Sequence, residues 1–190
     1  GALHETKPAW EEAIDAYSGV PRKSPHFGAA LAGLARAWPK YLATLAAAGK
    51  PTSEPAAESV HALRAGLMTD ESQLPKRWTA ADRVVALAIA EIIVAYQPTS
   101  ATDAVQILES AIKHSPDASA DWKAAAQVPL ILATAELPGR RQEALAGLAQ
   151  LAKDNPDNGA IQEKYADLLL AAGDAPSLKL ALDRWRIIAS

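Results

Sequence analysis

Apolar residues recur every three to four positions along most of this chain, the period of a helix with one buried face. The pattern is interrupted at clusters of Pro and Gly, which punctuate it into segments. A first helix is predicted over 8–17 and a loop over 19–24. A second helix follows over 25–38. Pro39 is expected to break or kink it, because Pro lacks an amide donor and clashes with the preceding turn. A short helix then covers 40–48 and stops at Gly49, and another spans 55–68. Residues 69–76 form the longest polar connection. The chain therefore reads as a single domain, 1–190, with its best internal boundary near 69–78.

The second half is more regular. Thr79-Ala80-Ala81-Asp82 has the form of a capping box, with a shorter acid in the fourth place. It opens a helix that runs to about 96. Ser100-Ala101-Thr102-Asp103 repeats the signal for a helix ending near 114, where Ser115-Pro116-Asp117 stops it. Further helices are predicted over 120–135, 140–153, 159–172 and 177–188. Pro129 is expected to kink or split the first of these. The loops between them are short, so consecutive helices should pack antiparallel.

These helices carry an internal repeat. Ala104, Leu108, Ala111 and Pro116 have the same spacing as Ala144, Leu148, Leu151 and Pro156. Ala181, Trp185 and Ile188 repeat the first three. The anchors Ala104, Ala144 and Ala181 are 40 and 37 residues apart. Small residues let two helices approach closely, large ones fill the next turn, and Pro or Gly ends each helix. Over 79–190 this pattern resembles the tetratricopeptide repeat. Tyr165-Ala166, Leu169 and Gly173 look like the large-small pair, packing residue and terminal Gly of that family's first helix, and Trp122 stands at its early aromatic. The spacing is longer than the family's period of about 34 residues. Leu151 also replaces a small residue, and Pro129 falls within a first helix.

The resemblance implies antiparallel helical hairpins stacked as a short right-handed superhelix, with first helices lining a concave groove. Lys123 and Gln127 would face that groove from one helix, and Glu163 and Asp167 from another. Some members clamp a peptide's terminal carboxylate with several Lys, Arg and Asn. Here Lys123 alone fits, beside Ala120 and Ala124, so that clamp is disfavoured.

Composition narrows the fold class. The chain has 44 Ala among 190 residues and only 5% aromatics, which favours helices and nearly excludes an all-β fold. The net charge is −3, and the longest basic cluster is a pair such as Arg140-Arg141. Phosphate binding needs clustered cations, so nucleic acid is disfavoured as a partner. There is no Cys, which removes disulfides, Cys-bound zinc and thiol catalysis. No apolar run is long enough to span a membrane as a helix. Gly1 in place of Met, and an apolar end at Trp185, Ile187 and Ile188, read as the bounds of a piece of a longer protein.

No catalytic pattern stands out. His4-Glu5 starts like a zinc-peptidase motif but meets Pro8 where the second His belongs. The other His residues (His26, His61 and His114) are scattered, and none forms a pair four residues apart. Gly49-Lys50 resembles the end of a phosphate loop, yet Pro51 takes the hydroxyl position. The carboxylates Glu11, Glu12 and Asp15, and the pair Glu163 and Asp167, share helix faces that read as solvated. Five Trp (Trp10, Trp38, Trp78, Trp122 and Trp185) read chiefly as packing between helices, with an exposed one serving as a partner anchor.

The sequence thus predicts an all-α hairpin array that binds a protein or peptide without catalysis, using no metal and no cofactor. Its candidate contact residues are Lys123, Gln127, Glu163, Asp167 and Trp185. Two alternatives remain: a self-associating structural segment that pairs through its C-terminal helix, and an enzyme's accessory domain with a carboxylate pair.

Overall fold

The computed structural model describes residues 9–68 and 73–188, with the side chains of the last two outside the description. His4 and Pro8, the middle of the 69–76 connection, and the Ile187 and Ile188 side chains therefore lie outside the described residues. The described chain is all-helical: α1 (Ala9–Ser18), α2 (Phe27–Ala47), α3 (Ser53–Leu67), α4 (Ala80–Tyr96), α5 (Ala101–Lys113), α6 (Ala120–Glu136), α7 (Arg141–Asp154), α8 (Gly159–Ala172) and α9 (Ala175–Ile188). A single 3-10 turn, Pro98–Ser100, precedes α5.

The helices form hairpins, and each hairpin packs on the next. α2 pairs with α3, α4 with α5, α6 with α7, and α8 with α9. The second helix of each pair also packs on the first helix of the following pair. In addition α2 packs on α4, and α4 on α6. α1 covers the free side of α2. There the Tyr17 ring lies over Gly33, where a Cβ would meet ring carbons at 2.7 Å.

The repeat anchors behave alike. Ala104, Ala144 and Ala181 are 0–1% exposed. The main core runs from Ile14 to Ala133 and draws Leu67 and Trp78 into one cluster with α2 and α4, across the 69–78 connection. A smaller second core joins Ala135, α7, α8 and Ala181 of α9. α6 belongs to both. Its Trp122, Ala126 and Ala133 face the first core, and Val128, Ile131 and Leu132 face the second. That double duty is why its apolar residues run almost all the way round.

Side-chain links fix the stacking. Arg64 of α3 pairs with Asp103 of α5. Gln97 donates to the Ser53 carbonyl at 2.7 Å, and the Trp122 indole N–H donates to the Arg83 carbonyl at 3.2 Å. Arg22 donates to the carbonyls of Ala65 and Met68, closing the C-terminus of α3.

The capping box at α4 forms as predicted. Thr79 Oγ1 accepts from the Asp82 amide at 3.2 Å, and the Asp82 carboxylate accepts from the Thr79 amide at 2.8 Å. Thr79→Ala should cost about 1 kcal/mol in a urea titration. An unchanged midpoint would show that solvent replaces the cap.

Three local expectations are corrected. α2 continues through Pro39 without a break, so 25–38 and 40–48 are one helix, and α6 continues through Pro129 without the split that was the alternative to a kink. Buried residues flank each Pro (Ala37, Trp38 and Leu42; Ala126 and Ala133), and their burial outweighs one lost helical hydrogen bond. Ser100 makes no side-chain cap. Ser100 is the last residue of the 3-10 turn, which leaves its backbone outside the extended conformation a cap needs, and Asp103 turns to Arg64 instead.

Candidate functional site

Most successive first helices in this stack touch one another. α6 and α8 do not close up in this way, and a cleft of about 460 Å³ lies between them. Its walls are Asp121, Ala124, Ala125 and Val128 of α6, and Ala160, Ile161 and Lys164 of α8. Leu151, Asn155 and Asn158 close its end. Asp121, Ala125 and Val128 are spaced four and three apart, so they form one stripe of α6. Small side chains on one wall leave the width, and Val128, Leu151 and Ile161 make an apolar floor.

The loop from 155 to 158 is held by its own hydrogen bonds. The Asn158 side chain caps α8 by accepting from the Ile161 amide at 3.2 Å, and the Asn155 amide donates to the Leu151 carbonyl at 2.9 Å. Behind the cleft sits Gln162, which is 1% exposed. Its amide donates to the carbonyls of Ala152 at 2.8 Å and Asn155 at 3.1 Å, and its carbonyl accepts from Arg184 at 3.3 Å. The Arg184 guanidinium also lies over the Tyr165 ring, 5.5 Å from its centre. One buried amide of α8 thus joins the end of α7, the loop and α9.

The sequence-derived contact residues fall around this cleft and do not line it. Lys123 is half-buried and Gln127 exposed, both on another stripe of α6. Glu163 and Asp167 are exposed on a different side of α8, and Asp167 pairs with the cleft residue Lys164 at 3.6 Å. Trp185 is 36% exposed on α9. Sequence reasoning chose stripes one position away from Asp121, Ala124, Ala125, Val128 and Lys164. In the run Ala124-Ala125-Ala126 the first two are exposed and the third is buried, and nothing in three identical residues separates them.

The Trp residues divide by role. Trp38 and Trp78 are buried in the main core, Trp122 is half-buried, and Trp10 and Trp185 are exposed. Lys40 stands 4.6 Å from the centre of the Trp10 ring. The candidate acid pairs are on exposed or half-exposed helix faces. Partial desolvation raises the Glu91 carboxyl of α4 from its usual value although the residue is exposed, and Glu91 does not line the cleft. Hydrogen bonds from Arg83 and Arg140 hold Asp117 and Glu143 below it. Among the described residues no three His, Asp or Glu side chains gather as a metal site, and no helix is long and apolar enough to cross a membrane.

Comparison with known proteins finds no matching family, no matching curated protein and no matching solved structure.

Proposed function

We propose that the chain is a non-catalytic protein-binding module whose ligand is a peptide segment seated between α6 and α8. The observation that carries this reading is the cleft itself. The stack brings first helices together elsewhere and holds these two apart, over an apolar floor with polar groups at its edges. Concave sites with an apolar lining and a few placed polar groups are where ligands bind. Asp121 on one wall and Lys164 on the other give the ligand a direction, since each favours the opposite charge. The resemblance to tetratricopeptide repeats, whose first helices line a binding groove, supports the same reading by analogy.

A displayed library of random peptides tests it. Peptides selected on the protein should share apolar residues flanked by charge. Ala125→Arg puts a long cation across the cleft from an exposed position and should weaken their binding at least about tenfold. Peptides that bind the Ala125→Arg variant as tightly as the parent would remove the cleft from consideration.

A further inference from the structure

The last hairpin carries an apolar face that its counterparts bury. The repeat anchors place Leu182 and Trp185 of α9 in register with Val105 and Leu108 of α5, and with Leu145 and Leu148 of α7. Val105 and Leu108 are 5% and 0% exposed, and Leu145 and Leu148 are 9% and 0%. Leu182 and Trp185 are 57% and 36% exposed. α5 and α7 each lie between two first helices, whereas among the described residues α9 packs closely on α8 alone.

The exposed face extends onto α8. Ala181 and Arg184 turn toward α8, as the Arg184 contacts with Gln162 and Tyr165 require. One step round α9 from them lies the stripe Leu178, Leu182 and Trp185. One step round α8 from Gln162 lies the stripe Glu163, Asp167 and Leu170, of which Leu170 is 44% exposed. Because the two helices are antiparallel, both stripes turn to the same side of the hairpin, away from α7. The result is a two-helix face with an apolar centre. Glu163 and Asp167 make an acidic edge on α8, and the exposed Lys179 and Arg186 make a basic edge on α9.

We propose that this face seats a second copy of the chain, as an isologous dimer with α8 of one protomer packed antiparallel on α9 of its partner. A two-fold axis parallel to the helices brings the acidic edge of each protomer against the basic edge of the other, and the four helices form a closed bundle. A two-fold axis perpendicular to them would stack like charge on like. Within one chain Asp167 pairs with Lys164 at 3.6 Å and Arg186 with Asp183 at 3.2 Å, all on exposed side chains. Such surface pairs are worth little and exchange readily. Burying Leu178, Leu182, Trp185 and Leu170 supplies the apolar core that a homodimer interface needs.

Light scattering after size exclusion, at high micromolar protein, is the test. The expected mass is twice the 20.0 kDa of the chain. Leu182→Asp, at an already exposed position, should give a monomer with unchanged circular dichroism and melting. Reversing the acidic edge with Glu163→Lys and Asp167→Lys should weaken the dimer about tenfold or more. Adding Lys179→Glu and Arg186→Glu to the same chain should restore it. A monomeric parent protein overturns the proposal and leaves the face to a helix of another chain. A dimer that survives Leu182→Asp, or a charge reversal that the second pair fails to rescue, overturns it equally. None of these positions lines the α6–α8 cleft, so this proposal can fail without the peptide-binding reading, and the reverse.

Discussion

Trp78→Ala is expected to destabilise the fold by about 3–5 kcal/mol, the range for emptying a large aromatic from a packed core. Trp78 is 2% exposed and lies in the main core, just before the Thr79 cap of α4. Among the described residues its indole N–H has no hydrogen-bond partner. Trp78→Phe therefore removes an unsatisfied donor while keeping most of the apolar surface, and should cost less than about 2 kcal/mol. Urea unfolding followed by circular dichroism separates the two. A Trp78→Ala loss below about 1 kcal/mol would mean that Trp78 does not fill the core in solution.

Gln162→Leu should cost about 2–4 kcal/mol, by a different route. The side-chain volume is nearly kept, but the carbonyls of Ala152 and Asn155 lose a buried donor and Arg184 loses its acceptor. Leaving buried partners unpaired costs more than a net hydrogen bond is worth. The damage should be local. Hydrogen exchange in α8 and α9 should quicken first, with α2 and α4 little changed, because the two cores are separate clusters. Trp78→Ala and Gln162→Leu act in different cores, so their losses should add within about 0.5 kcal/mol. Uniform loss of protection across all helices would show that the cores open together.

The helices were legible because their apolar period is strong, and so were the Thr79 cap and the buried anchors Ala104, Ala144 and Ala181. The local errors share one cause. The signals at Pro39, Pro129 and Ser100 concern one turn of backbone, while the outcome depends on what the next helix buries. Pro39 is carried through by Trp38 and Leu42 on either side of it, and Asp103 is drawn off by an Arg 39 residues earlier in the chain.

The cleft was less legible still. It depends on where α8 stands, and α8 is tied to the end of α7 and to α9 by Gln162, a polar residue that reads as surface until its burial is known. Composition showed that the chain is rich in Ala. It did not show that Ala125 faces a gap while Ala126 is buried. The exposed face of α9 was half visible, in the apolar end at Trp185. Leu178 and Leu182 gain their meaning only beside the buried Val105 and Leu145.

The most direct test of the functional reading is an amide chemical-shift map of the protein titrated with a peptide selected on it. Shifts are expected to concentrate at Asp121, Ala124, Ala125, Val128, Ile161 and Lys164. Shifts centred on α1 to α3, or spread evenly over the surface, would contradict that reading.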